Sequence, residues 1–164
     1  MSVNFFNAIC QEPLINAAIF GLCDDENGEK VHTNLFETDK WIAKVNNEHR
    51  IDLTFTAIDN CVLKYNEQPT RGRCDCMLTS ENHIYFIELK NVRTSGWIPD
   101  AIKQLESTVQ FFNESHDIRK FRHKKAFACN KKHKKFREID NELNLRFFKT
   151  YKVRLDIQAE IIVI

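Results

Sequence analysis

Three charged residues are spaced for chemistry: Asp75 in RGRCDCML, and Glu88 and Lys90 in HIYFIELK. With the two segments as strands joined by a two-residue Glu81-Asn82 turn, Asp75 lies directly across from Glu88. Side chains alternate along a strand, so Lys90 shares that face, while Cys74, Cys76, Tyr85, Ile87 and Leu89 point to the other. Two carboxylates at that separation repel and are costly to ionise together unless a cation lies between them. An oxygen-only pair suits Mg2+ or Mn2+. The chemistry expected is metal-assisted hydrolysis of a phosphodiester, in which the cation polarises the phosphoryl oxygen, generates hydroxide and offsets charge in the transition state. Lys90 would position or activate the attacking water or stabilise the developing negative charge, and its spacing does not choose between these roles.

These residues need a sheet and something packed on it. Cys74 to Thr79 and Ile84 to Lys90 are predicted as a hairpin, with polar Ser80 to His83 between them. From Trp97 to Phe112, Ile98, Ile102, Leu105, Val109 and Phe112 recur at helical steps, with Pro99 suited to the first turn. KAFAC, Lys125 to Cys129, is a short apolar run suited to a buried strand. Phe136, Ile139, Leu143 and Phe147 mark a second helix. Alternation from Val153 to Val163 predicts one half-exposed strand. Before the hairpin, WIAKV and IDLTFTAI are expected as strands. Phe5, Phe6, Ile9, Leu14, Ile15, Ala18 and Ile19 predict one or two helices, which Pro13 would interrupt. The expected fold class is α/β, a mixed sheet flanked by helices, in a single domain over residues 1–164.

RGRCDCML followed by HIYFIELK resembles the signature of the PD-(D/E)XK nuclease superfamily, an acid on one strand and E-x-K on the next. An isolated E-x-K is common by chance; the spaced aspartate, the opposed register, the apolar strand and the downstream helix and strand give it context. The resemblance covers Thr70 to Asn130. It implies a restriction endonuclease-like core, a metal held by Asp75, Glu88 and Leu89, and a catalytic set of Asp75, Glu88, Lys90 and Gln104. Gly72-Arg73-Cys74-Asp75 also resembles the G-x-x-D of RecB-like branches, where a glutamine on the next helix supports the site. Gln104 matches it, but the tyrosine expected four residues later is Thr108. Size and element order resemble Holliday junction resolvases and small restriction-type endonucleases as well, in which a glutamate from the first helix joins the metal. Glu12, Glu37 and Glu48 are the candidates.

The net charge of +1 conceals a polarised chain. Residues 1–70 carry 5 Lys/Arg against 11 Asp/Glu, and residues 71–164 carry 19 against 12. Arg119 to Arg137 holds ten Lys/Arg, two histidines and no acid, interleaved with Phe121, Phe127 and Phe136. A solvated surface explains such a run, and so does a grip on phosphates beside the acidic pocket. On the second reading Arg122, Lys124, Lys131, Lys132, Lys134 and Lys135 bind nucleic acid, with DNA favoured over RNA. The six cysteines are expected as reduced thiols in a cytoplasmic protein, since a chain of 164 residues needs no stapling. No apolar run approaches the roughly 18 residues of a membrane span, so no membrane partner is expected.

Two weaker constellations are a zinc site from Cys74, Cys76, His83, His123, Cys129 and His133, and a nucleophilic Cys129. The leading expectation is a divalent-metal-dependent nuclease. Its rival is a nuclease-like fold that binds nucleic acid or protein without cleavage, in a defence or toxin-immunity system. A homodimer pairing through the C-terminal strand is a third possibility.

Overall fold

A computed structural model describes residues 3–25, 31–64, 72–133 and 141–164. Nine strands, β1 (Ile19–Cys23), β2 (His32–Asn34), β3 (Ala43–Asn46), β4 (Thr54–Ala57), β5 (Cys76–Thr79), β6 (His83–Lys90), β7 (His123–Asn130), β8 (Arg154–Ile157) and β9 (Glu160–Ile162), are described. They are accompanied by the helices α1 (Trp97–Ser115) and α2 (Asn141–Tyr151). The strands form two mixed sheets, ordered β4-β5-β6-β7-β8 and β2-β1-β3-β9. In the larger sheet β4, β5 and β6 run antiparallel, and β7 and β8 continue it in parallel. This gives three layers: α1 and α2 cover one face of the five-stranded sheet, and the four-stranded sheet packs on the other.

Local chemistry accounts for the central hairpin. Ser80 Oγ accepts the N–H groups of Asn82 and His83, and Ser80 N–H donates to the His83 carbonyl, closing a tight turn. Its geometry sets the register, which follows the expected pairing from Thr79↔Ile84 to Cys76↔Ile87. Alternation then sorts the side chains. Met77, Ile84 and Phe86 face α1, whereas Cys76, Leu78, Tyr85, Ile87 and Leu89 face the second sheet. α1 buries the expected stripe of Ile102, Leu105, Val109 and Phe112, extended by Trp97, Ala101, Thr108 and Phe111.

Four expectations are corrected. Among the described residues the N-terminal segment forms none of the predicted helices. Ala8–Cys10 is a single 3-10 turn, capped by the Asn7 side chain on Ile9 N–H, and the segment then makes strand-like bridges from Gln11 to Thr56 and from Ile15 to Leu53. The apparent apolar stripe is not a face: Phe5 is buried edge-on against Phe111 and Phe112, while Ile9 and Leu14 are 80% and 67% exposed.

The predicted C-terminal strand is two strands in different sheets. β8 pairs with β7, and β9 pairs with β3. The period-two burial continues across the break because Leu155 and Ile157 pack toward α1 and α2 while Ala159, Ile161 and Val163 pack between the sheets. The long edge proposed for dimerisation is therefore two short ones.

Nor are all six cysteines free. Cys10, at the end of the 3-10 turn, forms a disulfide with Cys61 in the loop after β4. Cys23, Cys74, Cys76 and Cys129 remain buried thiols. The C-x-C pair also does not share a face: Cys74 packs under α1 and Cys76 between the sheets. The start of the second helix expected at Phe136 and Ile139 lies outside the described residues.

Candidate active site

Asp75 is the residue immediately before β5, and its position is set from three sides. Upstream, Arg73 N–H donates to Gln104 Oε1 at 2.6 Å and Cys74 N–H donates to Thr108 Oγ1 at 2.7 Å. Gln104 and Thr108 stand one turn apart on α1, so one helix face holds two successive main-chain groups of the strand that delivers Asp75. The Thr108 hydroxyl itself donates to the Gln104 carbonyl. Gly72 permits this approach, since a Cβ there would lie 2.8 Å from Gln104 Oε1. From a second side, Ile58 N–H donates to the Asp75 carbonyl at 2.9 Å. From the third, Asp75 N–H donates to the Ile87 carbonyl, and Leu89 N–H donates to Asp75 Oδ2 at 2.7 Å.

Glu88 is buried on the same side of β6, 5% exposed. Its Oε2 lies 3.2 Å from Lys90 Nζ, and among the described residues its Oε1 has no hydrogen-bond partner. Burial, then the charge of Asp75, pushes the Glu88 carboxyl well above the ordinary range, and Lys90 only partly opposes them. Asp75 is raised from the ordinary 3.8 to about 6, chiefly by burial, against the pull of Leu89 N–H, with Asp24 and Asp59 adding like charge. Asp75 raises Glu88, whereas a hydrogen bond with the Glu88 carboxyl lowers Asp75, so the pair is set to share a proton, and the two cannot both ionise cheaply at neutral pH without a cation.

The donor set fits a hard divalent cation. Two carboxylates converge, and Glu88 Oε1 is a buried acceptor left without a donor. Among the described residues no third His, Cys, Asp or Glu completes a metal-binding group. Glu12 is bonded to Thr33 on β2 and Glu37 to Lys40, while Glu48 is exposed. None of the three joins Asp75 and Glu88 in such a group. Leu89 meets Asp75 through its N–H.

Gln104 reaches the site through Arg73 N–H, and Thr108 through Cys74 N–H. Thr108→Val should leave the buried Cys74 N–H unpaired and lower stability by about 1–3 kcal/mol in urea unfolding. Thr108→Ser, which keeps the hydroxyl, should lose clearly less.

Two contributors were missed in the sequence. Asn130, at the end of β7 and opposite Lys90 in the register, accepts from Val92 N–H and Lys132 N–H and donates to the Val92 carbonyl, fastening the chain after Lys90. An asparagine closing an apolar strand was the available signal. Asp24, just past β1, acts on Asp75 from the other sheet, and no local pattern marks it. Trp97 is buried at the start of α1, with His133 stacked parallel to it at 6.4 Å, so it anchors the helix.

The basic run does not form one patch beside the carboxylates. Arg122 immediately precedes β7 and Lys124 is its second residue, whereas Lys131 and Lys132 follow its end; the seven-residue rise from Lys124 to Lys131 separates the groups by about 23 Å. The cause is the apolar Ala126–Cys129 core of β7, which carries the chain across the sheet. Lys134 and Lys135 lie outside the described residues. Cys129 is fully buried and its thiol is pushed up by burial, the reverse of what a nucleophile needs.

No protein-family model matches the chain, and no curated protein or solved structure matches it. The class is defined by fold and site: a mixed α/β protein of two sheets in which half-buried Asp75 meets buried Glu88, with Lys90 at the carboxyl end of the central strand.

Proposed function

We propose that the protein is a divalent-metal-dependent nuclease of the PD-(D/E)XK kind, acting on phosphodiester bonds with DNA favoured over RNA. The observation that carries this reading is the convergence of Asp75, Glu88 and Lys90, with Glu88 Oε1 buried and unpartnered. The element order supports it: an antiparallel meander carries the acids, a helix crosses the sheet, and the next strand returns parallel to β6. That is the order expected of a restriction endonuclease-like core.

Asp75 and Glu88 would hold Mg2+ or Mn2+, which when bound supplies Lewis acidity and an activated water. The protein's own part is positional. Leu89 N–H fixes one Asp75 oxygen, leaving the other to face Glu88. Lys90, at 3.2 Å from Glu88 Oε2, reaches the same space with a cation that can orient water or meet charge on the phosphoryl group. Lys90→Ala should therefore cost turnover more than metal affinity, about 100-fold or more in rate, with calorimetry of Mn2+ binding as the check. A mutant equally active would remove Lys90 from the mechanism.

The separation of the basic groups favours a second reading, in which the fold binds nucleic acid without cutting it. Cleavage of plasmid, linear, branched and single-stranded DNA, and of RNA, in Mg2+, Mn2+ or EDTA separates the two.

A further inference from the structure

The end of the five-stranded sheet remote from the carboxylates carries a cleft of which the sequence marked only Arg122 and Lys124. It has a volume of about 500 Å3 and is lined by Arg122, His123, Lys124, Lys125, Phe148, Lys152 and Arg154, with Ile164 at its edge. Five permanent cations line it, and no Asp or Glu side chain does. Arg122, Lys124 and Lys125 come from the basic run, but Lys152 comes from the turn after α2 and Arg154 opens β8. The parallel register Lys125↔Arg154 brings the two groups together.

Internal pairing neutralises little of this charge. Lys125 lies 3.6 Å from Asp156, and the Lys124 ammonium donates to the Phe121 carbonyl. Arg122, Lys152 and Arg154 are exposed. The C-terminus of α2 accounts for one cation near its carbonyls, Lys152, whose N–H closes the helix on Phe148. It does not account for the other four. Like charges held together at a surface cost energy unless an anion answers them.

Phe148 adds an apolar plate, 41% exposed, with Lys152 and Arg154 each 5.9 Å from its ring centre. A cationic channel with an aromatic platform is the pairing that single-stranded nucleic acid uses, phosphates on the cations and a base on the ring. A cleft of 500 Å3 admits a backbone and a base or two. That volume is too small to enclose a duplex.

We propose that this cleft binds the phosphodiester backbone of single-stranded nucleic acid, with Phe148 as a stacking platform, independently of the carboxylate site. The proposal goes beyond the nuclease reading and does not need it to hold.

The test is binding of a fluorescein-labelled 15-nucleotide oligothymidylate and of a 15-base-pair duplex in EDTA, across a salt series. Wild type is compared with Arg122→Ser/Lys152→Ser/Arg154→Ser and with a control of equal net charge, Lys40→Ser/Lys44→Ser/Lys103→Ser. All six positions are exposed, and circular dichroism checks that each variant is folded. The expected result is single-strand affinity reduced about tenfold or more in the cleft variant, with a salt slope shallower by about 2, and little change in the control. Phe148→Ala should weaken it further, by about fivefold or more. Equal loss in both triple variants, equal affinity for the duplex, or no binding at all would overturn the proposal. Single-strand binding here together with no cutting of the nucleic-acid panel in Mg2+ or Mn2+ would leave the cleft standing and the nuclease reading fallen, so the two failures are distinguishable.

Discussion

Glu88→Gln should abolish metal-dependent cleavage while making the metal-free protein more stable at neutral and alkaline pH. Glu88 is 5% exposed, faces Asp75, and carries an Oε1 with no donor among the described residues. As an acid it destabilises the fold whenever it must ionise, and as a metal ligand it is indispensable to the proposed chemistry. Glutamine keeps the shape and removes the charge. Cleavage should fall to background, a loss of about 1000-fold or more. The rise in melting temperature that Mn2+ gives the wild type should vanish with it. A variant that cuts normally would take Glu88 out of the site. A variant that loses both activity and fold is resolved by Glu88→Ala and by the melting curves in EDTA, since a folded, inactive protein is the expected state.

The second large effect is on stability against pH. Asp75 rises from 3.8 to about 6 on folding, and Glu88 rises well above 4.5, in both cases because burial disfavours the charged form. The folded state therefore binds more protons than the unfolded state between the ordinary carboxyl values and the raised ones. Stability from this pair is complete below about pH 4 and is lost as pH climbs through 6 and beyond. Asp75 alone, shifted by roughly two units, contributes about 3 kcal/mol to that loss, on the order of 10 °C in melting temperature for a chain of this size. A divalent cation replaces the missing protons. Mn2+ should thus stabilise strongly at pH 8 and scarcely at pH 5, and its affinity should rise with pH. Thermal melts at pH 5, 6, 7 and 8, with EDTA or Mn2+, read both trends. A metal-free melting temperature that climbs steadily from pH 5 to 8, or a Mn2+ effect that does not depend on pH, would contradict the burial of these two acids.

What was legible in the sequence was local. The Ser80–His83 turn and the alternation on either side of it fixed the hairpin register, and with it the meeting of Asp75 and Glu88. The 3.6-residue stripe from Ile98 to Phe112 specified α1 because one helix face carries it unaided. What was not legible depends on partners far along the chain. Phe5 resembles part of a helical stripe until Phe111 and Phe112 claim it, and the stretch around it then runs extended along β4.

The alternation from Val153 to Val163 is real, yet a period of two does not say which sheet each half joins. Cys10 and Cys61 are 51 residues apart, and no spacing rule pairs them. The basic run fared likewise. As a string of charges it resembles one patch, but the apolar residues inside it draw the strand through the sheet and leave its cations at opposite ends, where Lys152 and Arg154 join one group. The residues that support Asp75 were half visible. Gln104 was marked by resemblance, whereas the matching contribution of Thr108 follows from its place one turn further along α1.

The most direct test of the central claim is cleavage of the nucleic-acid panel in Mg2+, Mn2+ and EDTA, with wild type beside Glu88→Gln. Cutting that requires the metal and disappears in the variant is the predicted result. Cutting in EDTA, or cutting by Glu88→Gln at the wild-type rate, would contradict a metal-dependent site built on Asp75, Glu88 and Lys90.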